Sequence, residues 1–354
     1  MTVYALGNSI TAQIPPSLTA LFISLFKGAI FTMQVKDIYA IIEQDFADVD
    51  TLIREQLSSR VPLVEKIADY IVSSGGKRLR PLLVIMTAKA LEQSGAQANK
   101  LAAVIEFLHT ATLLHDDVVD TSDMRRGNPT ANEKWGNAPS VLVGDFLYSR
   151  SFQMMVELKN LQVMDILSNS TCVIAEGEVL QLVNCKNPDT SEEQYMDVIK
   201  GKTAMLFEAS THAAAVLCEA NAEQEQALKD YGHHLGMAFQ LVDDVLDYEG
   251  DAEAMGKNVG DDLAEGKPTL PLIHAMREGN EEQAKLIRKA IRKGGLEDID
   301  AIMEIVKTCG SLDYTKQIAR KHVELAQSCL EHLADTDAKQ ALHHLARIAI
   351  ERNT

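Results

Sequence analysis

Apolar residues recur every three or four positions along most of the chain from residue 34 onward. Ile38, Ile41, Ile42, Phe46 and Val49 form the first such run, and this spacing is typical of an amphipathic helix. No segment of several residues alternates cleanly enough to indicate a strand. The pattern predicts an all-α protein with helices near residues 34–58, 62–74, 80–94, 98–121, 139–158, 160–183, 191–217, 223–248, 269–278, 281–292, 297–308, 311–333 and 336–352.

The main breaks in this pattern are residues 73–76, 122–139 and 250–271, and none of them resembles a domain linker. We therefore predict one domain over residues 33–354, preceded by an extension at residues 1–32. The apolar stretch from Ser17 to Phe31 is too short to cross a bilayer and lacks the features of a signal peptide. The extension is either an artefact of a start codon upstream of Met33, which we favour, or a membrane-surface tether.

Composition also favours a single helical body. Aromatic residues make up only 5% of the chain and 9 residues are proline, which suits helices better than strands. The formal net charge of -17 argues against nucleic acid as a partner and against a general attraction to anionic membranes. Five cysteines without a close pair indicate reduced thiols and predict a cytoplasmic protein.

One acidic pattern occurs twice within apolar sequence. Residues 116–120 and 243–247 each read Asp-Asp-x-x-Asp, and because positions i and i+4 share a helix face, each cluster would point two carboxylates in one direction. One such cluster could be a solvated helix face, but two copies in apolar surroundings require counter-charges. We predict that both bind Mg²⁺, which combines a few carboxylates with phosphate oxygens and water, at the mouth of a cleft between helix hairpins.

Basic residues cluster at a predicted helix start and after the first acidic cluster. Residues 75–81 read Gly-Gly-Lys-Arg-Leu-Arg-Pro, and Arg125 and Arg126 follow Asp120 closely. Such groups are suited to anions, although a solvated basic turn is the alternative for the first segment. A nucleotide-binding phosphate loop is rejected at residues 260–268, because the glycine spacing is wrong, Pro268 replaces the required Ser or Thr, and no strand precedes it.

Together these motifs resemble those of the trans-type polyprenyl diphosphate synthases. The resemblance spans residues 34–354, with every motif in family order and spacing. The runs 169–182 and 256–271 are most similar to bacterial members that make octaprenyl chains. The residues that carry the resemblance are the segment 75–81, His109, the first acidic cluster with Met124-Arg125-Arg126-Gly127, Gly201-Lys202-Thr203, and the run from Phe239 to Lys267.

The resemblance implies one large helical bundle of the isoprenoid synthase type around a central apolar cavity. It also implies head-to-tail addition of isopentenyl diphosphate to an allylic diphosphate, with farnesyl diphosphate as the expected primer. Thr203 and Gln240 would lie beside the developing cation. Asp116, Asp120, Asp243 and Lys202 would be the main catalytic residues. Mg²⁺ would be held by Asp116, Asp117, Asp120, Asp243, Asp244 and Asp247, the allylic diphosphate by Arg125, Lys202, Thr203, Gln240 and Lys257, and isopentenyl diphosphate by Lys77, Arg80, His109 and Arg126.

Product length is expected to depend on Ala111 and Thr112, which lie five and four residues before Asp116. Short-chain members of the resembled family commonly carry a bulky aromatic at one of these positions, so two small residues imply a long chain. Octaprenyl diphosphate for quinone side chains is the expected product, with shorter and longer chains as alternatives. The resemblance further implies a homodimer and transient contact of the enzyme with a membrane surface.

Two other functions fit the sequence less well. A terpene cyclase needs no second diphosphate site, and its second metal motif typically carries Asn and Ser or Thr, whereas residues 243–247 keep three aspartates. A non-catalytic subunit of a heteromeric synthase should have eroded motifs, and both acidic clusters are intact. The sequence therefore favours an active prenyltransferase.

Overall fold

The computed structural model describes residues 35–249 and 260–351, and nearly all of this part is helical. The prediction of an all-α fold is confirmed. In chain order the helices are α1 (Val35–Gln56), α2 (Pro62–Ser73), α3 (Leu79–Ala90), α4 (Ala96–Val119), α5 (Ala131–Trp135), α6 (Asn137–Glu157), α7 (Leu161–Asn184), α8 (Glu192–Ile199), α9 (Met205–Leu217), α10 (Ala222–Glu249), α11 (Asp261–Glu265), α12 (Leu270–Glu278), α13 (Glu281–Lys293), α14 (Ile299–Thr308), α15 (Ser311–Cys329) and α16 (Asp337–Glu351).

The main core is centred on α3, α4 and α9. Its buried side chains include Leu82 on α3, Val104 and Phe107 on α4, and Phe207 on α9. Helix α4 also packs along α6, and α9 packs along α10. A helix that is apolar around most of its circumference is stable only when other helices surround it. The acidic clusters near the ends of α4 and α10 therefore lie at the termini of two core helices.

Two smaller groups of buried side chains complete the bundle. One joins α12, α13 and α14 through residues such as Leu272, Ile287 and Ile302. The other fixes α8 and α10 against α12, and it includes Tyr195 and Leu241. The buried apolar side chains of the described helices therefore form one main core and two smaller clusters.

Local sequence signals explain several helix starts. The Ser191 hydroxyl accepts a hydrogen bond from the backbone N–H of Gln194, and the Gln194 side chain accepts one from the N–H of Ser191. This reciprocal capping box satisfies two backbone donors that the first turn of α8 leaves free. Asn280 and Gln283 repeat the arrangement at the start of α13. The capping residues Ser191 and Gln194 therefore define where α8, the helix that contains Tyr195, begins.

One predicted helix is interrupted. In place of a continuous helix over residues 191–217, Lys200–Ala204 form a single π-helical turn between α8 and α9. A π-helical turn inserts one additional residue into a helix, but the apolar residues before it and after it keep their helical spacing. The spacing therefore could not indicate this turn. Such turns occur frequently at functional sites.

The predicted loop at residues 122–139 is more ordered than expected. It contains α5, the first residues of α6, and a short antiparallel pair of strands, β1 (Met124–Arg125) and β2 (Asn128–Pro129). Arg126 and Gly127 between the strands have φ angles of 53° and 73°, and a type I′ hairpin turn requires positive φ at both positions. Two-residue strands are too short for an alternating pattern to indicate them.

Smaller differences occur near the carboxyl end of the chain. Helix α11 lies within the predicted loop 250–271, and the end of the predicted helix 311–333 is a 3₁₀ turn at Leu330–His332. Met33 and the predicted extension at residues 1–32 lie outside the described residues. Among the described helices, none combines the length and apolar composition that a transmembrane span requires.

Candidate active site

A cavity of about 900 Å³ lies where α3, α4, α7, α10 and the π-helical turn meet. Its wall combines apolar, acidic and basic side chains, and it brings together most of the residues that the sequence singled out. Those present in the wall are Lys77, Arg80, His109, Thr112, Asp116, Asp120, Arg125, Arg126, Lys202, Thr203, Gln240, Asp243, Asp244 and Asp247.

Asp116 and Asp120 enter the cavity from the end of α4. The backbone N–H of Asp120 donates to the carbonyl oxygen of Asp116 at 2.7 Å, which places the two side chains one helical turn apart. Burial raises the pKa of the Asp116 carboxyl, Lys202 opposes this shift, and Asp120 adds to it. Any further cation near this pair would favour the ionised carboxylates.

Asp117, which the sequence placed among the expected metal ligands, is paired with Arg125. Its side chain is fully buried and lies outside the cavity wall. Oδ1 of Asp117 accepts hydrogen bonds from Nε and Nη2 of Arg125, at 2.8 and 2.7 Å. Charge-assisted hydrogen bonds of this kind are strong and fix geometry. Asp117 therefore holds Arg125 in the wall of the cavity.

Lys267 brings a cation from the segment after the second acidic cluster to the first. Its Nζ lies 3.3 Å from Oδ2 of Asp120 and also contacts Glu265. Burial disfavours the charged form of Lys267, but Asp262, Asp120 and Glu265 outweigh burial and raise its pKa. Lys267 is therefore charged and partly neutralises the acidic side of the cavity.

The second acidic cluster enters the cavity from α10. Burial and the neighbouring Asp262 raise the pKa of Asp247 to about 8, although the backbone N–H of Asp262 donates to Oδ2 of Asp247. Burial and Asp262 raise the pKa of Asp244 in the same way, against hydrogen bonds from Tyr195 and Gln240. Asp243 also lines the cavity. Several carboxylates thus meet in a site with too little solvent to screen them.

The π-helical turn holds Lys202 and Thr203 in the cavity wall. Nζ of Lys202 donates to Oε2 of Glu178 on α7 at 2.6 Å. The two helices approach closely here, because a Cβ atom on Gly177 would lie 2.6 Å from the backbone nitrogen of Lys202. Glycine at position 177 is therefore required for the π-helical turn to pack against α7.

A second group of cations lies at the start of α3 and in the hairpin turn. Nη1 of Arg80 lies 3.2 Å from Nε2 of His109. Burial holds the pKa of His109 well below its usual value, and the charges of Arg80 and Arg126 add to this effect. The imidazole is therefore neutral and can accept from Arg80. Burial lowers the pKa of Arg80 to about 10, so its guanidinium is still charged at neutral pH.

Glu106 and Gly76 explain how this group is packed. Burial raises the pKa of Glu106, while the adjacent Arg78, Arg80 and Arg126 oppose that shift. A Cβ atom on Gly76 would lie 2.6 Å from Nη1 of Arg126, and Gly76 has a φ angle of +143°. Glycine at this position lets the guanidinium lie against the backbone. The result is a compact group of cations suited to an anion such as diphosphate.

Sequence reasoning did not assign roles to several residues of the site. Glu106 and Tyr195 lie three and seven residues before His109 and Lys202, so helical spacing could have indicated them. Glu178 and Asp262 gave no signal, because their positions depend on how α7 and the segment before α12 pack against the rest of the bundle.

The two residues expected to control product length have different environments. Thr112 lines the cavity, whereas Ala111 is buried in the main core at 1% exposure and lies outside the cavity wall. Lys257, the remaining residue expected to bind the allylic diphosphate, lies outside the described residues. Of these two residues, Thr112 is therefore the better candidate for contact with the growing prenyl chain.

The residues present fit a hard divalent cation. Asp116, Asp120 and Asp243 offer only oxygen ligands, and each lies in the cavity wall. Among residues 35–249 and 260–351, no three His, Cys, Asp or Glu side chains form a ready-made metal site. Mg²⁺ usually takes one or two carboxylates and completes its coordination with substrate phosphates and water. These three aspartates are the residues that would hold it.

The chain is similar to known proteins over most of its length. The chain is 52% identical over 322 residues to the octaprenyl diphosphate synthase of Escherichia coli (strain K12). This match covers 91% of this chain and 100% of that protein. It is 48% identical over 318 residues to an all-trans-nonaprenyl-diphosphate synthase (geranyl-diphosphate specific) of Rhodobacter capsulatus, covering 90% of this chain and 98% of that protein.

Solved structures show the same fold. A polyprenyl synthase of Caulobacter crescentus CB15, complexed with calcium and isoprenyl diphosphate, is similar with a TM-score of 0.88 and 41% identity, covering 91% of this chain and 99% of that chain. A decaprenyl diphosphate synthase of Rhodobacter capsulatus gives a TM-score of 0.86 and 44% identity, covering 90% and 99%. The family model described as polyprenyl synthetase matches residues 61–309. The chain therefore belongs to the polyprenyl synthetase family.

Proposed function

We propose that this chain is a Mg²⁺-dependent prenyltransferase that adds isopentenyl diphosphate units head-to-tail to an allylic diphosphate. The observation that carries the proposal is one cavity that combines two acidic clusters with two separate groups of cations. One substrate with a diphosphate would explain one group of cations. Two substrates, each with its own diphosphate, explain both.

The allylic diphosphate is placed beside the acidic clusters, where Asp116, Asp120 and Asp243 would hold Mg²⁺. When bound, Mg²⁺ neutralises the charge that develops on the departing diphosphate. Arg125 and Lys202 would contact the same group, and Asp117 and Glu178 fix them in place through hydrogen bonds of 2.6 to 2.8 Å. Cations fixed before the reaction stabilise developing charge without rearranging during the reaction.

The diphosphate of isopentenyl diphosphate is placed at Lys77, Arg80, Arg126 and the neutral His109. The carbon–oxygen bond of the allylic substrate breaks and its electron pair leaves with the diphosphate. The double bond of isopentenyl diphosphate then attacks the allylic carbon, and loss of a proton restores a double bond. No covalent intermediate with the protein is required.

Apolar side chains protect the reactive carbon from water. Leu113, Ile174, Leu206 and Phe239 line the same cavity as the charged groups. A carbocation in contact with water would be hydrolysed, so an apolar wall beside the diphosphate sites favours transfer to the second substrate.

We propose octaprenyl diphosphate, made from farnesyl diphosphate in the cytoplasm for quinone side chains, as the product. The small side chain of Thr112 in the cavity wall supports a long product. Similarity to octaprenyl, nonaprenyl and decaprenyl synthases leaves eight, nine and ten isoprene units as the lengths to be distinguished.

The test is incubation of the purified chain with farnesyl diphosphate, isopentenyl diphosphate and Mg²⁺, followed by mass spectrometry of the products. The expected result is a product with eight isoprene units that disappears when EDTA replaces Mg²⁺. A product of another length would overturn the octaprenyl assignment. An inactive chain that gains activity only with a second, different subunit would support a heteromeric synthase instead.

The proposed assembly is a homodimer in which α6 and α7 face the partner. Leu142 on α6 and Val179, Leu182 and Val183 on α7 are exposed apolar side chains, and grouped side chains of this kind mark interaction surfaces. Sedimentation of Leu182→Lys should show monomers where the unaltered chain shows dimers. Leu325→Lys, which alters an exposed leucine on α15, is the matched control and should sediment as a dimer.

The same apolar face could instead mediate transient membrane contact, in which case Leu182→Lys would weaken vesicle binding and leave the sedimentation unchanged.

A further inference from the structure

Asp244 has an environment that differs from that of a typical metal ligand. It is only 1% exposed, and each of its carboxylate oxygens accepts a hydrogen bond from a protein side chain. Oη of Tyr195 donates to Oδ2 at 2.5 Å, and Nε2 of Gln240 donates to Oδ1 at 2.9 Å. Each donor uses one of the two lone pairs on its oxygen.

The contact with Asp244 determines which way the Gln240 amide faces. Nε2 of Gln240 is the atom that donates to Asp244, so the amide presents its NH₂ group to the carboxyl group. Its carbonyl oxygen, Oε1, then faces the other side and accepts a hydrogen bond from Oγ1 of Thr203 at 2.7 Å.

The orientation of Gln240 in turn determines the orientation of the Thr203 hydroxyl. Thr203 has one hydroxyl proton, and the hydrogen bond to Gln240 uses it. The lone pairs of Oγ1 are left for the cavity, which both Thr203 and Gln240 line. The remaining lone pairs on the side-chain oxygens of Thr203 and Gln240 would stabilise positive charge that develops in the cavity beside them.

Tyr195 is well placed to hold this arrangement rigid. It is 4% exposed and belongs to the buried group that joins α8, α10 and α12. The helix that carries Tyr195 continues into the π-helical turn that carries Thr203. The first and last members of the hydrogen-bonded series Tyr195, Asp244, Gln240 and Thr203 are thus joined through the backbone as well.

We propose that Tyr195 and Asp244 are positioning residues that orient Gln240 and Thr203 toward the allylic carbon on which positive charge develops. The inference rests on the proposed function, and it assigns different roles to Asp243 and Asp244 within the second acidic cluster. Asp243 would hold the metal ion, whereas Asp244 would orient the side-chain dipoles.

The test is a double-mutant cycle with Tyr195→Phe and Thr203→Val. Tyr195→Phe should lower kcat by roughly ten- to hundredfold, the effect of removing one buried hydrogen bond. The KM for isopentenyl diphosphate and the Mg²⁺ concentration for half-maximal rate should stay unchanged. In the Thr203→Val background Tyr195→Phe should have little further effect, because the hydroxyl that it orients is gone. Thr203→Ser, which keeps the hydroxyl, should retain most of the activity.

Two further variants keep the test decisive if Tyr195→Phe folds poorly. Asp244→Asn should lower kcat without raising the Mg²⁺ requirement, whereas Asp243→Asn should raise that requirement. Equal increases in the Mg²⁺ requirement for both variants would overturn the proposal, and so would additive effects in the cycle or full activity of Tyr195→Phe. An unaltered chain that makes no prenyl product at all would instead overturn the proposed function.

Discussion

Nζ of Lys267 lies 3.3 Å from Oδ2 of Asp120, so the segment that follows the second acidic cluster supplies a cation to the first. The two residues are far apart in sequence, yet they share one wall of the cavity. This ion pair connects the segment after the second acidic cluster directly to the first acidic cluster. It also places a fixed positive charge where the proposed diphosphate would leave.

Replacement of Lys267 by Met should lower turnover by roughly ten- to hundredfold, because it removes a buried charge beside the proposed leaving group. Lys267→Arg should retain more activity, since it keeps the charge. Steady-state assays at saturating isopentenyl diphosphate would measure the effect. Lys285→Met, which breaks an exposed ion pair with Glu281, is the control and should be nearly neutral. Unchanged turnover of Lys267→Met would contradict the role given to this ion pair.

Thr112→Phe should shift the products toward three or four isoprene units. Thr112 lines the cavity, and an aromatic ring there would occupy volume that a longer prenyl tail needs. Thr112→Ser keeps the hydroxyl that donates to the carbonyl oxygen of His109 at 2.8 Å, and it should leave product length unchanged. Mass spectrometry would measure the number of isoprene units in the products of each variant. An active Thr112→Phe enzyme that still makes the full-length product would show that the tail does not pass this residue.

Ala111→Tyr is expected to act differently from Thr112→Phe. Ala111 is buried in the main core, where a ring would be overpacked at a cost of about 1–3 kcal/mol. The variant should therefore melt at a lower temperature in addition to any change in product length. A melting temperature equal to that of the unaltered chain would show that the ring reaches the cavity without strain.

A chain that begins at Met33 should match the full chain in turnover and melting temperature. The family model and every residue of the proposed site lie after that position. Both quantities can be measured on the two purified forms side by side. A large loss in either would show that residues 1–32 belong to the working enzyme.

The stability of the fold should fall as the pH is lowered from about 6.5 to about 4, because of a half-buried histidine pair. The Nδ1 atoms of His234 and His322 lie 3.0 Å apart between α10 and α15. Burial and the neighbouring His234 lower the pKa of His322 from 6.5 to about 4, and burial also lowers that of His234. In this window the unfolded chain binds more protons than the folded chain, so acid favours unfolding.

Denaturant titrations at several pH values would measure this dependence. His322→Gln should show a shallower fall in the free energy of unfolding between pH 6.5 and pH 4 than the unaltered chain, because one of the two titrating groups is gone. His332→Gln is the control, since His332 is more exposed and pairs with Glu223. Identical slopes for His322→Gln and the unaltered chain would contradict the assignment.

The sequence predicted the parts of the site that repeat at helical spacing. The aspartates at positions 116, 120, 243 and 247 were found because their i and i+4 spacing interrupts apolar helices, and the structure places all four in one cavity. The helix pattern likewise predicted nearly all long helices. Spacing along one helix is local information, and it is sufficient for features that a single helix determines.

Other features depend on packing between distant segments, and the sequence could not supply them. Asp117 belongs to the same acidic pattern as Asp116, but its burial and its pairing with Arg125 depend on the hairpin after α4. The π-helical turn depends on the close approach of Gly177 to Lys202. The role of Tyr195 depends on α8 and α10 meeting at Asp244.

The central claim is that both acidic clusters bind metal around one substrate. Mg²⁺-dependent binding of farnesyl thiolodiphosphate, an allylic analogue that resists ionisation, tests it most directly, with calorimetry on the unaltered chain, Asp116→Asn and Asp243→Asn. Both variants should fold normally and lose at least about tenfold in Mg²⁺-dependent affinity, since each removes a metal ligand at one shared diphosphate. Full Mg²⁺-dependent affinity in either variant would contradict the account, because one cluster alone would then hold the metal.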